Sequence, residues 1–259
     1  MLKDITIGQY YSADSVLHRL DPRVKIRFTI VYIILLLIDR NVYLFGLLTA
    51  VFLLATYLSK VPVAHMVKGT RSVLVFVFIC SVLNIFTTPG DSLVRVIGLT
   101  ITEQGLIKFG FIFWRMLLLI FMSSLIMYTT TPTALTDGLE KCFHLPGNIA
   151  MGITIALRFI PVLFEELDRI MKAQEARGAN FHSGGPIKRL KSLKTVLVPL
   201  LQNSIDRASN LADAMDARCY TGGKGRTKLR PLRYGRKDGI AYVVLFAITA
   251  LSVWLAVVF

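Results

Sequence analysis

Phe28-Thr29-Ile30-Val31-Tyr32-Ile33-Ile34-Leu35-Leu36-Leu37-Ile38 contains no charged residue, and after Asp39-Arg40-Asn41 a second apolar run extends from Val42 to Leu58. A helix that crosses a bilayer needs about 20 apolar residues, with about 17 as a lower limit. Counted from Arg23, the first run comes near that limit, as does the second, so the two read as a membrane hairpin with a very short turn. Three further runs have the same character. Ser72 to Phe86 stops at the turn-forming Thr88-Pro89-Gly90-Asp91. Leu106 to Tyr128 carries Lys108 near its start and Arg115 inside it, and Gly239 to Phe259 carries no charge. At about 20 residues each, five spans occupy roughly 100 residues, well under half of the 259 in the chain. A hydrophobic content of 54% excludes an ordinary soluble chain, while a net charge of +14 excludes one that lies wholly in lipid.

The charge is concentrated between the fourth and fifth runs. Ile149 to Phe164 is apolar but short, and holds Arg158 and Pro161; Leu193 to Leu201 is shorter and holds Pro199. Both read as amphipathic or partly buried helices rather than spans. The expected organisation is an all-α integral membrane protein: an N-terminal membrane domain over 1–130 with about four spans, a coupling domain over 131–237, and a C-terminal transmembrane helix over 238–259. Lys and Arg number five in residues 1–27, three in 60–71 and eighteen in 131–238, against Arg40, Arg95 and Lys108 in the alternate segments. The positive-inside rule then puts the N-terminus and the coupling domain in the cytoplasm and the C-terminus outside. Residues 221–237 hold seven basic groups and no acid. They lie beside the last span with Tyr234 as their one aromatic residue, which fits topology control and anionic lipid rather than nucleic acid. The first 22 residues lack the apolar core of a signal peptide. Cys80, Cys142 and Cys219 have no metal-ligand spacing and read as reduced thiols.

Several chemistries are absent. Gly222-Gly223-Lys224-Gly225 has glycine where a phosphate loop needs Ser or Thr for magnesium, so this chain does not hydrolyse ATP by that route. His18, His65, His144 and His182 are scattered, which argues against a zinc hydrolase. No carboxylate sits at the middle of a span, as ion-coupled carriers require. Glu165-Glu166-Leu167-Asp168-Arg169 suggests the paired glutamates of CAAX-type intramembrane proteases. Its Arg is one position too early, however, and no histidine follows in an apolar helix. Pairing of these carboxylates with Arg169 and Lys172 at helical spacing explains the cluster without catalysis. No catalytic residue, metal or cofactor is expected on this chain.

The most informative feature is an internal echo. Ala173-Gln174-Glu175-Ala176-Arg177-Gly178 returns 41 residues later as Ala214-Met215-Asp216-Ala217-Arg218-Cys219. Both read Ala-x-acid-Ala-Arg-small, and both run into helix-stopping glycine. Each motif is therefore expected in the last turn of a long helix, where an Arg also complements the macrodipole. Paired exposed arginines call for a partner with paired acidic pockets, since the guanidinium fork binds carboxylates through two N–H groups. A membrane protein with no nucleotide site and two such helix ends is shaped to dock two similar ATPases.

On these residues the sequence resembles the transmembrane T component of energy-coupling factor (ECF) transporters, the EcfT/CbiQ-type family. The match rests on Ala176-Arg177-Gly178 and Ala217-Arg218-Cys219, the second departing from the usual final glycine. Ser15-Val16-Leu17-His18-Arg19-Leu20-Asp21-Pro22-Arg23-Val24-Lys25, Leu145-Pro146-Gly147 and Arg158-Phe159-Ile160-Pro161 add to it. The start segment also reads locally: Asp21 caps a helix beginning at Pro22, the following basic residues lie at the lipid boundary, and His18 is a satisfied surface residue. The resemblance implies a non-catalytic scaffold in a four-subunit importer of vitamins or other micronutrients. Two ABC-type ATPases would carry the ATP and magnesium, and a small membrane-embedded S component would bind the substrate. Coupling helices at about 132–143, 147–178 and 187–219 would join them, with Arg177 and Arg218 each entering a groove of one ATPase. Ile149, Met151, Ile153 and Ile155, with Leu197, Leu200 and Leu201, offer an adaptable apolar surface for one or several S components. The alternatives are an ordinary ABC permease with its own substrate path and the CAAX-type protease.

Overall fold

The computed structural model describes residues 10–11, 13–38, 42–87, 92–96, 99–179, 181, 186–222, 232 and 234–258. The Asp39-Arg40-Asn41 and Thr88–Asp91 turns, His182 and most of the basic block before the last helix lie outside the described residues. Eight helices follow in order among the described residues: α1 Pro22–Ile38, α2 Val42–Ser59, α3 Val63–Thr87, α4 Glu103–Thr129, α5 Pro132–Cys142, α6 Gly147–Ala176, α7 Pro186–Ala217 and α8 Arg236–Val258. The fold is all-α apart from one antiparallel hairpin between α3 and α4, formed by β1 Ser92–Val96 and β2 Leu99–Thr102. This hairpin is not anticipated by the hydropathy pattern, although Val94, Val96, Thr100, Ile101 and Thr102 supply β-favouring residues.

The chain divides into two compact units, one of α1–α5, the hairpin and α8, the other of α6 and α7. α5, grouped with the coupling segment on sequence, belongs to the first. Gly138 of α5 lies so close to α1 that a Cβ there would stand 2.9 Å from Pro22 Cβ and 2.8 Å from Ile26 Cδ1. In the same unit Tyr32, Leu36, Leu44, Leu48, Leu118 and Met122 form a buried core drawn from α1, α2 and α4. The Tyr32 hydroxyl donates to Leu48 O at 3.1 Å, so this polar tip in the core is satisfied. Leu53, Tyr57, Phe76, Val243 and Phe246 point outward and are exposed, which suits helices whose surroundings are lipid rather than water.

A polar network ties one end of this unit. Asp21 caps α1 by accepting the Arg23 N–H at 2.9 Å, and its carboxylate also binds the Arg23 guanidinium at 3.0 Å. Asp238, at the start of α8, accepts the Asp21 N–H at 2.8 Å and the Gly235 N–H at 2.7 Å. Lys25 donates to Thr129 O, at the end of α4, at 2.8 Å. The starts of α1 and α8 and the end of α4 therefore share one face. His18 is held by Ser15 Oγ at 2.6 Å and Tyr11 O at 2.9 Å, a satisfied residue as expected.

Five helices among the described residues are long and apolar enough to cross a membrane: α2, α3, α4, α6 and α8. The number matches the sequence-based count, but the membership differs. α1 has 17 residues, at the lower end of spanning length, whereas the apolar first half of α6 qualifies on composition.

Candidate docking site

Glu166 near the middle of α6 is buried, and it accepts hydrogen bonds from Asn203 Nδ2 at 2.9 Å and Arg207 at 3.0 Å, both on α7. Within α6, Arg169 approaches Glu166 at 3.9 Å and Lys172 pairs with Asp168 at 2.7 Å. The acidic cluster is thus structural, as its spacing suggested. The cross-helix partners Asn203 and Arg207 are not legible from that spacing.

A cleft of about 640 Å³ on the same unit is lined by Met151, Ile155, Arg158 and Phe159 of α6 and by Met215 and Arg218 at the end of α7. Together with the contact between Glu166 and Arg207, this shows that the two helices run in opposite directions. Their C-terminal ends point away from each other. Arg177 lies eleven residues beyond Glu166, and Arg218 lies eleven beyond Arg207. The crossing contact therefore sits at equivalent positions of the 41-residue echo. At about 1.5 Å per residue each arm is about 16 Å long, which sets the two arginines up to about 33 Å apart.

Both arms end in the same backbone device. In α6 the Gly178 N–H donates to Glu175 O at 2.9 Å and the Ala179 N–H to Gln174 O at 2.9 Å. In α7 the Cys219 N–H donates to Asp216 O at 2.9 Å and the Tyr220 N–H to Met215 O at 3.0 Å. These are paired Schellman caps, in which the residue after the cap turns left-handed. Gly178 has φ 88° and Cys219 has φ 56°. The "small" position of each motif is thus the left-handed position, which gives the motif a conformational cause. The Arg before it becomes the capping residue, projecting from the last turn. Arg177 and Arg218 are exposed, and neither guanidinium has a side-chain partner among the described residues.

The other expected contact residues divide between two environments. Ile149 and Ile153 of α6 are exposed, as are Leu197 and Leu201 of α7, while Leu200 is half-buried. Met151 and Ile155 turn into the cleft beside Arg218. Ala176 and Ala217 close the last helical turns. No group of three or more His, Cys, Asp or Glu residues that could hold a metal ion occurs among the described residues.

Residues 13–229, which include both arms, match the family of cobalt transport proteins named CbiQ. The chain belongs to that family. It is 40% identical over 262 residues to the energy-coupling factor transporter transmembrane protein EcfT of Acidaminococcus fermentans, covering 98% of each chain. The EcfT proteins of Clostridium kluyveri, at 42% identity over 98% of this chain and 97% of the relative, and of Thermosediminibacter oceani, at 44% over 93% and 94%, are similar in the same way. This member of the CbiQ/EcfT family is a transmembrane component of an ECF transporter. The paired caps and the Glu166 crossing are accordingly features of a transporter subunit.

Proposed function

We propose that this chain is the non-catalytic scaffold that couples two cytoplasmic ATPases to a substrate-binding S component for uptake of a vitamin or other micronutrient. The observation that carries the reading is the pair of identically capped arginines at opposite ends of one crossed helix pair. One ATPase would take Arg177 and the other Arg218, each through an acidic groove, with Ala176, Gly178, Ala217 and Cys219 keeping the approach to the guanidinium unobstructed. ATP and magnesium would be bound by the ATPases. The exposed row Leu193, Leu197, Leu201 and Ile205, one helical turn apart, together with Ile149 and Ile153, would face the S component.

In this reading α1 rather than α6 is the fifth span. The end of α4 and the start of α8 lie on one face, so the chain between them crosses the membrane an even number of times. α7 is too polar to return a crossing made by α6. α6 therefore stays on the side of the coupling domain. The positive charge of 131–238 assigns that side to the cytoplasm.

Isolation of the tagged chain in mild detergent tests the proposal. Two ATPase subunits and one small membrane protein are expected to co-purify, and uptake by reconstituted vesicles should require all of them. Recovery as a homodimer with one ATPase-docking end in use would instead favour an ordinary ABC permease.

A further inference from the structure

A second cavity of about 250 Å³ opens in the membrane unit, between α1, α2, α4 and α8. It is lined by Phe28, Leu54, Leu58, Met122 and Ile248 among other apolar side chains, and by two lysines, Lys25 and Lys237. The lysines lie in the first turns of α1 and α8, on the face where the end of α4 also lies. From Lys237 to Ile248 the helix rises about 16 Å, roughly half of the 30 Å hydrocarbon thickness of a bilayer. The groove thus runs from a cationic mouth at the interface to about the midplane, the dimensions of one leaflet.

Lys25 makes the mouth unusual. It is only 8% exposed, and its ammonium donates to Thr129 O at 2.8 Å, Thr130 Oγ1 at 3.3 Å and His18 O at 3.4 Å. All three acceptors are neutral, and no carboxylate lies within ion-pair distance of Lys25 among the described residues. The nearby acids are engaged elsewhere, Asp21 by Arg23 and Asp238 by backbone amides. The fields of the Asp21 and Asp238 carboxylates offset part of the cost of burying this cation, and an anion at the mouth would add to that offset.

We propose that this groove is a binding site for one anionic phospholipid, its acyl chain along α8 and its phosphate at Lys25 and Lys237. Two lysines at one end and the apolar length of one leaflet together select an anionic amphiphile over a neutral one. A membrane helix from a partner would fill the apolar part but leave the exposed Lys237 at the mouth without an anion.

Native mass spectrometry of the full chain in mild detergent, with phosphatidylglycerol or phosphatidylcholine of identical acyl chains, tests this. Retention of one phosphatidylglycerol per chain in clear preference to phosphatidylcholine is expected. Lys237→Gln should reduce that preference about fivefold, from the roughly 1 kcal/mol that each lysine contributes near an anionic surface. Ala241→Trp, which fills the groove one turn inward from Lys237, should abolish retention while leaving the melting temperature of the protein intact. A photoreactive residue at Val244 should cross-link to lipid. Equal retention of both lipids, an unaltered preference in Lys237→Gln, retention in Ala241→Trp, or cross-linking to a protein instead of lipid would each overturn the assignment.

Discussion

The end of α6 and the end of α7 are built on one plan but differ at the left-handed position that closes each cap. Each has the Ala-x-acid-Ala-Arg sequence, the same two backbone hydrogen bonds and an exposed terminal Arg eleven residues from the Glu166–Arg207 crossing. At the left-handed position α6 has Gly178, for which φ 88° carries no steric penalty, whereas α7 has Cys219 at φ 56°. A side chain in that region costs roughly 1–2 kcal/mol. The α7 arm holds the same shape despite that cost, so its geometry is imposed by the cap and not by the intrinsic preference of the residue. The backbone shape is what the two arms share, and glycine is only the easiest way to reach it.

That equivalence can be broken or sharpened by experiment. The largest effect should come from reversing both terminal charges. Arg177→Glu with Arg218→Glu is expected to cut ATPase co-purification at least a hundredfold, with each single change giving a partial loss on one arm. Undiminished assembly in the double variant would sink the docking assignment. Next is the crossing itself: Glu166→Ala removes the acceptor of Asn203 and Arg207, and the loss of hydrogen bonds to a charged group should destabilise the α6–α7 unit by about 1.5–3 kcal/mol. Chemical denaturation followed by a probe on α7 would measure it, and spin labels near Arg177 and Arg218 should report a broadened distance distribution.

The smaller effects address the caps directly. Gly178→Val forces a β-branched side chain into the left-handed region and should cost about 1–2 kcal/mol, read as a lower denaturation midpoint. Cys219→Gly should act in the opposite direction, raising stability by up to about 1 kcal/mol with docking retained. Should Cys219→Gly destabilise the arm, the thiol would have a packing role that outweighs its backbone strain.

Much of this was legible in the sequence. The apolar runs, the basic 131–238 segment and the echo of Ala173–Gly178 in Ala214–Cys219 are local patterns, and local patterns survive without knowledge of what packs against them. The capping role of Asp21 and the helical pairing of Asp168 with Lys172 belong to the same class, because their partners lie within four residues. Less legible was anything that depends on residues far apart. Nothing in the spacing of Glu165 and Glu166 says that the second meets Asn203 and Arg207. Nor does composition separate α6 from a span, since its first half is as apolar as one. In the proposed topology that distinction rests on Asp238 reaching Asp21 and Lys25 reaching Thr129, contacts across 217 and 104 residues.

By itself the sequence determined the membrane class and the all-α character, and it singled out the two arginines proposed for docking. It did so because hydropathy, charge bias and helix-stop signals act over one turn to one span of chain. Only the tertiary structure decided that those arginines stand at opposite ends of an antiparallel pair crossed at Glu166, and that α5 packs on α1 through Gly138. It also brought Lys25 and Lys237 to the mouth of one groove. These are consequences of which helix faces meet, and such meetings are set by packing between residues a hundred or more positions apart or, at the crossing, by one buried carboxylate choosing its partners on a second helix.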